Sequence, residues 1–291
     1  MPRQTVQRRH QNAEVRLYRQ LCAEIGRQYV ISDNPNVAQR ARRFMAALRP
    51  MAVVGREKVR IGGAGDGGYV SLPPGENGIA YSFGVSTCSP WDLAMAERNF
   101  SVYQYDGSIP EEPDKHPNIF FNRYFVGTEP SDALPTKTLG QIIRENNHEH
   151  ERDIILQMDI EEAEWAIFQE MGLDDQLRFS QIIIEFHNLA FDENRLSILK
   201  KLCRTHTPVH IHYNNSTLPI LILPDNYFYC PTFEMTLVRS AEHTFHPDDA
   251  YYPTPLDFPN RDDLPDIPVG YFDLLLDPSI QTITNAGEQP A

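Results

Sequence analysis

The sequence predicts an α/β fold: a doubly wound, mainly parallel sheet of seven strands, with a helical extension before it and an irregular acidic tail after it. Two apolar runs near the middle, 154–161 and 181–187, have the length of buried strands and end at acidic or imidazole side chains. Apolar runs and helical periods alternate from residue 79 onward, which is typical of repeated strand–helix units. In such sheets, ligands bind at the carboxyl ends of the strands.

Two helices are predicted before the sheet, over residues 14–29 and 36–48, because apolar residues recur in both at helical spacing. Asp33-Asn34-Pro35 separates them. We expect residues 1–59 to form a cap or a contact between subunits of a homo-oligomer. The glycine-dense segment 60–70 lacks the Lys-Ser/Thr of a phosphate-binding loop, so its spacing favours a tight hairpin.

The central domain is predicted over residues 60–241. Its seven strands are expected at residues 79–85, 101–105, 119–126, 153–158, 181–186, 209–213 and 233–238. Its helices are expected at residues 92–98, 138–146, 161–171 and 193–206. Residues 242–291 are rich in proline and acidic side chains, which predicts an extended, irregular arm.

The net charge of −14 is unevenly distributed along the chain. Residues 1–60 carry 13 Lys or Arg and 4 Asp or Glu, whereas the remaining residues carry 13 and 36. A basic leading segment could contact nucleic acid, anionic lipid or a phosphorylated substrate, or it could lie against the acidic body of its own or a neighbouring subunit. We favour docking on the protein and expect no nucleic-acid partner, because no recognition motif is present.

Cysteine usage and hydropathy predict a soluble cytoplasmic protein. The four cysteines are far apart and lack metal-ligand or redox spacing, as expected for reduced thiols. No run approaches the ~20 apolar residues of a membrane span, and the amino terminus lacks the apolar core of a secretory signal.

The first two strand ends indicate a cofactor site. A glycine after the first strand and an acid after the second, here Gly84 and Asp106, suit a ligand with ribose hydroxyls. The turn at residues 83–87 is poor in glycine, whereas a pyrophosphate needs close backbone approach. This turn therefore argues against NAD and favours S-adenosylmethionine, which has no phosphates.

Several segments together resemble the FkbM-type branch of class I methyltransferases over roughly residues 60–240. They are residues 66–70, 81–85, 105–106, 157–165, 184–187 and 210–215. The most specific is the Asp-Ile-Glu-x-Ala-Glu sequence at residues 159–164. The chain departs from the family pattern at Glu162, where the family usually has glycine.

The resemblance implies a class I methyltransferase fold, S-adenosylmethionine as the methyl donor and an acceptor hydroxyl on a sugar, glycan or related natural product. It implies cofactor-binding roles for Phe83, Gly84, Ser86 and Asp106, with Asp106 on the ribose. It implies an acceptor pocket that includes Asp66, Tyr69, His212 and Asn214. The spacing of His210, His212 and Asn214 on one strand face is, by itself, equally consistent with a solvated face.

A sugar hydroxyl is a poor nucleophile, so its methylation needs a general base or a cation that stabilises the forming alkoxide. His187 suits the role of base. Asp159, Glu185 and His187 together offer ligands to Mg or Mn, and we treat all three as candidate catalytic residues. Asp159 could instead be only the N-cap of the helix that follows it.

The sequence therefore predicts an S-adenosylmethionine-dependent O-methyltransferase with a small-molecule or glycan acceptor. Two alternatives stay open at this point. One is a nonenzymatic Rossmann-like scaffold that has lost its cofactor, and the other is a nicotinamide-dependent sugar oxidoreductase.

Overall fold

A seven-stranded sheet forms the centre of the protein. The computed structural model describes residues 3–131, 133–223 and 225–276. We number the strands of this sheet β1 (Gly78–Phe83), β2 (Phe100–Tyr105), β3 (Ile119–Asn122), β4 (Ile154–Met158), β5 (Phe179–Phe186), β6 (His206–Tyr213) and β7 (Phe233–Arg239). Their order across the sheet is β6-β7-β5-β4-β1-β2-β3. Only β7 runs antiparallel to its neighbours, so the predicted doubly wound, mainly parallel sheet is confirmed.

Helices and small strand pairs surround this sheet. The helices are α1 (Arg3–Ile25), α2 (Pro35–Leu48), α3 (Pro90–Ala96), α4 (Leu139–Glu145), α5 (Glu164–Glu170), α6 (Leu173–Gln176), α7 (Glu193–Leu202) and α8 (Phe272–Leu275). The small strands outside the sheet are Val30–Ser32 with Ile220–Ile222 and Tyr227–Tyr229, Met51–Val53 with Phe245–Pro247, Val59–Ile61 with Tyr69–Ser71, and Phe125–Gly127 with Thr136–Thr138.

The sheet is covered on both faces, as its apolar strands require. On one face, α1, α2, α4, α5 and α7 contribute to a single core with alternate residues of the strands. On the other face, Trp91 and Met95 of α3 pack with Ile61 and Tyr69 of the hairpin and with the intervening strand residues. The first two helices are therefore part of the main core, because Tyr18 and Phe44 are buried in it.

The first helix, predicted over residues 14–29, spans Arg3–Ile25, and three further predicted boundaries were wrong for local reasons. The third strand ends at Asn122, since the chain then leaves the sheet and Phe125–Gly127 pairs with Thr136–Thr138. The last predicted helix ends at Leu202, and His206 instead begins β6, where its buried ring bonds to the Phe179 carbonyl. The helix expected from residue 161 begins at Glu164, because the two residues before Ala163 have positive φ.

The acidic tail is irregular, as predicted, but it is packed against the body rather than extended. We call residues 248–276 the C-terminal strap. Tyr252, Ile267 and Phe272 of the strap are buried in the main core. Its acids meet basic partners, with Asp257 bonded to His210 and Asp266 to His212. The remainder of the predicted arm, residues 277–291, lies outside the described residues.

The basic leading segment docks on the acidic body, which confirms the favoured reading of the charge distribution. The ion pairs that link the two are Arg3–Asp249, Arg42–Asp225, Arg43–Glu193, Arg49–Asp273 and Lys58–Asp248. Among the described residues, no helix has the length and apolar character that a membrane crossing requires.

Candidate functional site

A cavity of about 380 Å³ opens at the carboxyl ends of β1, β2 and β4. The turn after β1 forms one wall, and the hairpin Val59–Ile61 with Tyr69–Ser71 supplies another. Six of the residues predicted from the sequence line it: Asp66, Tyr69, Gly84, Ser86, Asp106 and Asp159. The hairpin prediction for the glycine-dense segment is confirmed, and the hairpin is part of the cavity.

Backbone hydrogen bonds hold the turn after β1 between the ends of β2 and β4. The Gly84 N–H donates to the Tyr105 carbonyl at 3.0 Å, and the Asp159 N–H donates to the Phe83 carbonyl at 2.8 Å. Phe83 is fully buried and does not line the cavity, so its predicted contact with the cofactor is not made by its side chain. Phe83 instead fixes the end of β4 through its carbonyl.

Asp106 is committed to the protein rather than free to bind a ribose. One of its oxygens accepts from the N–H groups of Val85 and Ser86, and the other accepts from the N–H and hydroxyl of Ser108. Burial alone would raise the pKa of Asp106, but these hydrogen bonds outweigh it and lower the pKa. Since two lone pairs on each oxygen are occupied, Asp106 shapes the turn in this arrangement and offers no spare acceptor to a ligand.

The lining of the cavity is strongly acidic. Five carboxyl groups line it, from Asp66, Asp92, Asp106, Asp159 and Glu161, and burial raises the pKa of two of them, Asp92 and Asp159. No Lys, Arg or His of the described residues lines it. Such a wall attracts cationic groups and repels phosphates.

Behind the cavity wall, His187 lies inside a ring of carboxylates. Its Nδ1 is 3.1 Å from Glu164 Oε1, and its Nε2 is 3.4 Å from Glu185 Oε1 and 3.7 Å from Asp159 Oδ1. Asn214 Nδ2 donates to the same Glu185 oxygen at 2.7 Å. Four predicted site residues are thus brought together, and Asp159 connects this group to the cavity.

This ring of carboxylates sets the protonation of His187 and corrects its predicted role. Burial alone would lower the pKa of His187, but the contacts with Glu164 and Glu185 raise it to about 11. An imidazole that is already protonated at neutral pH cannot accept a proton, so this arrangement argues against His187 as the general base in the metal-free protein. Burial and the neighbouring Glu185 carboxylate raise the pKa of Asp159 as well, while the contact with His187 opposes that shift.

Asp159 is not the cap of the following helix. The N-cap of α5 is Ala163, and Glu164 Oε1 accepts from the Ile160 N–H at 3.0 Å. The Asp159 oxygen Oδ1 has no hydrogen-bond partner among the described residues. Asp159 thus lines the cavity without accepting a helix N–H, and the capping alternative is wrong.

One group of side chains could hold a divalent cation. Ligand atoms of Asp159, Glu161 and His187 all lie within 4.8 Å of one another. The predicted set contained Glu185 in place of Glu161. Glu161 projects into solvent, with 85% of its side chain exposed, whereas Glu185 is bonded to Asn214. Carboxylate and imidazole ligands of this kind suit Mg or Mn.

The turn between β4 and α5 has the backbone conformation of glycine at position 162, where the resemblance implied a glycine. Glu161 has a φ of 55° and Glu162 a φ of 88°, both in the left-handed region that favours glycine. The chain keeps the left-handed turn with a glutamate in it. The Glu162 carboxylate accepts a hydrogen bond from Asn188 across the mouth of this turn.

His212 lies away from the cavity. It is fully buried, and its Nε2 is 3.0 Å from Asp266 of the C-terminal strap. Its Nδ1 is 3.5 Å from Glu234 on β7. The face shared with His210 is therefore neither solvated nor part of the cavity, because the strap covers it, and the acceptor-binding prediction for His212 is corrected accordingly.

Sequence reasoning missed the cavity floor. Its polar members are Ser82, Ser89, Trp91, Asp92 and Gln157. Ser82 Oγ donates to Gln157 Oε1, and Gln157 Nε2 donates to the Tyr69 hydroxyl. A usable signal was present, since Ser82 and Gln157 are polar residues inside otherwise apolar strands, and they pair directly in the parallel register.

Comparison with known proteins agrees with this geometry. The family model of the methyltransferase FkbM domain matches residues 14–213, which is more than half of the chain. The match begins within α1 and ends at β6, so it includes the first two helices, which the resemblance did not cover. A comparison with curated proteins gave no match.

Proposed function

Because this chain belongs to the FkbM family of methyltransferases and has the fold of the class I enzymes, its methyl donor is S-adenosylmethionine, and we propose that its acceptor is a hydroxyl group. The acceptor proposed is a sugar, a glycan or a related small natural product. The acidic cavity is the observation that supports the cationic methyl donor, and Asp159 in its lining, as a candidate base, supports a hydroxyl acceptor.

The charge of the lining separates the candidate cofactors. S-adenosylmethionine carries a sulfonium and an ammonium group, and five carboxylates with no basic side chain in the described lining favour such a ligand. A dinucleotide would bring its pyrophosphate to the turn after β1, where a phosphate site needs a glycine-rich loop and a helix amino terminus. The acidic lining therefore supports a methyltransferase over the nicotinamide-dependent oxidoreductase.

The reaction assigns a role to Asp159. The acceptor oxygen attacks the methyl carbon in line with the sulfonium; the C–O bond forms as the C–S bond breaks, and S-adenosylhomocysteine leaves. Asp159, which lines the cavity, takes the hydroxyl proton and releases it to solvent. His187, held protonated by its carboxylate partners, balances the charge of Glu185 and orients Asp159 from behind. Positioning of the two reactants supplies much of the rate.

In a second form of the proposed mechanism, Asp159, Glu161 and His187 would bind a divalent cation. The convergence of their ligand atoms supports it, and a bound cation would replace the proton on His187. Such a cation would stabilise the acceptor alkoxide as it forms.

Transfer of a labelled methyl group tests the proposal. Purified protein, methyl-labelled S-adenosylmethionine and a panel of saccharides and polyhydroxylated natural products are incubated with EDTA, Mg²⁺ or Mn²⁺. We expect label in at least one acceptor and not in the same acceptor with its hydroxyls already methylated. Label that is retained on the capped acceptor would contradict O-methylation, and cofactor binding without any transfer would support the nonenzymatic scaffold instead.

A further inference from the structure

The floor of the cavity contains a carboxylate with one oxygen that accepts no hydrogen bond from any described residue. Asp92 lies in the first turn of α3, lines the cavity and is only 3% exposed. Its oxygen Oδ2 accepts from Gln104 Nε2 at 2.9 Å, whereas Oδ1 has no partner among the described residues. Burial raises the pKa of Asp92 to about 7, so at pH 8 the ionised group has a buried oxygen without a donor, which is unfavourable and calls for a hydrogen-bond donor.

The neighbouring donors are already in use. The Ser82 hydroxyl donates to Gln157, and the Gln157 amide donates to Tyr69. On the far side of Asp92, the N–H and hydroxyl of Ser89 both donate to Asp114. The Ser82 hydroxyl also lies close enough to lower the pKa of Asp92, but its proton is used by Gln157, so a ligand in the cavity can supply the donor that Asp92 lacks.

A second unsatisfied group borders the same floor. The indole Nε1 of Trp91 is buried and has no acceptor among the described residues. Trp91 also lines the cavity, next to Asp92 in the chain. An unpaired acceptor and an unpaired donor thus both belong to residues that line the cavity, which suits a ligand with both an ammonium and a carboxylate.

We propose, building on the proposed function, that Asp92 binds the α-ammonium group of the methyl donor and that its amino-acid end occupies the cavity floor. Of the groups on the donor, the sulfonium has no N–H or O–H, and the carboxylate would be repelled. The ammonium is both a donor and a cation, and it complements a site that Asp66, Asp106 and Asp159 already make negative. The adenine amine and the ribose hydroxyls also donate but are neutral, and the experiment below separates them from the ammonium because 5′-methylthioadenosine keeps all of them.

Three ligands and three proteins test the assignment by titration calorimetry at pH 8. The ligands are S-adenosylhomocysteine, its analogue without the α-amino group, and 5′-methylthioadenosine, which keeps the adenosine but lacks the whole amino-acid end. The proteins are the wild type, Asp92→Asn and the matched control Asp114→Asn, which removes a neighbouring charge that does not line the cavity. Asp92→Ser replaces Asp92→Asn if the latter does not fold.

Asp92→Asn should weaken the binding of S-adenosylhomocysteine by about 10- to 100-fold, the usual effect of losing a charge-assisted hydrogen bond. The same substitution should change the affinities for the other two ligands by no more than about twofold. Asp114→Asn should not change the preference for S-adenosylhomocysteine over its analogue without the α-amino group. Equal losses of affinity for all three ligands, or an unchanged affinity for S-adenosylhomocysteine, would overturn the assignment of Asp92 and leave the proposed function standing. Wild-type protein that binds none of the ligands would contradict the proposed function and this assignment with it.

Discussion

The main-chain carbonyl oxygen of Asp159 lies 1.6 Å from the point where a Cβ atom on Gly84 would stand. The ends of β1 and β4 therefore approach so closely that only glycine fits between them. Gly84 also has a φ of 81°, in the region that other residues rarely adopt. This contact fixes the distance between the turn that borders the cavity and the proposed base.

Gly84→Ala should destabilise the protein by about 3 kcal/mol or more and abolish cofactor binding, because the two strand ends must separate. Gly55→Ala is the matched control, since Gly55 has a similar φ of 74° with nothing within 4 Å of its Cβ position. The control should cost only about 1–2 kcal/mol. Denaturant unfolding measures both, and equal losses in the two variants would show that the contact with Asp159 does not matter.

Asp159→Asn should lower kcat by about 10²- to 10⁴-fold while leaving the affinity for S-adenosylhomocysteine nearly unchanged, because it removes a proton acceptor and keeps the shape. Glu161→Gln distinguishes the two forms of the mechanism. If Asp159 acts as the base without a cation, the Glu161→Gln enzyme retains activity in EDTA. If a cation is needed, the Glu161→Gln enzyme lacks activity both in EDTA and with added Mg²⁺ or Mn²⁺. A fully active Asp159→Asn enzyme would rule out both forms.

His187 should carry two N–H protons at pH 7.5 in the metal-free protein, because its pKa is raised to about 11 by Glu164 and Glu185. Imidazole ¹⁵N chemical shifts measure this directly. His148 is an internal control, since burial lowers its pKa and the ring should be neutral. A neutral His187 at pH 7.5 would restore it as a candidate base.

The same shift predicts how stability depends on pH. Because the folded pKa of His187 lies above the unfolded value of about 6.5, the protonated ring contributes its full stabilisation below pH 6.5. That contribution then declines as the pH rises toward 11. Urea unfolding of the wild type and His187→Gln should therefore show the largest difference near pH 6 and a smaller one at pH 9, and a difference that grows with pH would be the wrong sign.

Glu162→Gly should stabilise the protein by about 0.5–1 kcal/mol, since it relieves a left-handed backbone at φ 88° at the cost of greater freedom in the unfolded chain. Glu162→Ala keeps the strained backbone and also loses the bond from Asn188, so it should be neutral or destabilising. Thermal unfolding at one pH compares the two. Destabilisation by glycine would show that the bond to Asn188 outweighs the strain.

The order of strands and helices could be predicted because each strand is apolar, short and bounded by polar turns. Gly84, Asp106 and Asp159 could be placed at one edge, since the carboxyl ends of parallel strands meet there. The hydrogen-bond partners of these residues could not be predicted in the same way. Asp106 occupies the expected position, yet its oxygens are used by the turn after β1.

Long-range contacts account for the other errors. His212 was expected in the acceptor pocket, but Asp266 lies 54 residues further along the chain and buries it under the strap. The protonation of His187 likewise depends on Glu164, which contacts it only after α5 has folded back. No local pattern contains either pairing. Asp92 was missed because an acid in the first turn of a helix is ordinarily explained by the helix dipole.

Titration of the metal-free wild-type protein with S-adenosylhomocysteine and, separately, with NAD⁺ tests most directly whether the acidic cavity seats the methyl donor. We expect saturable one-to-one binding of S-adenosylhomocysteine, competed by S-adenosylmethionine and lost in Gly84→Ala, and no binding of NAD⁺. Tight binding of NAD⁺ with no heat from S-adenosylhomocysteine would contradict the account.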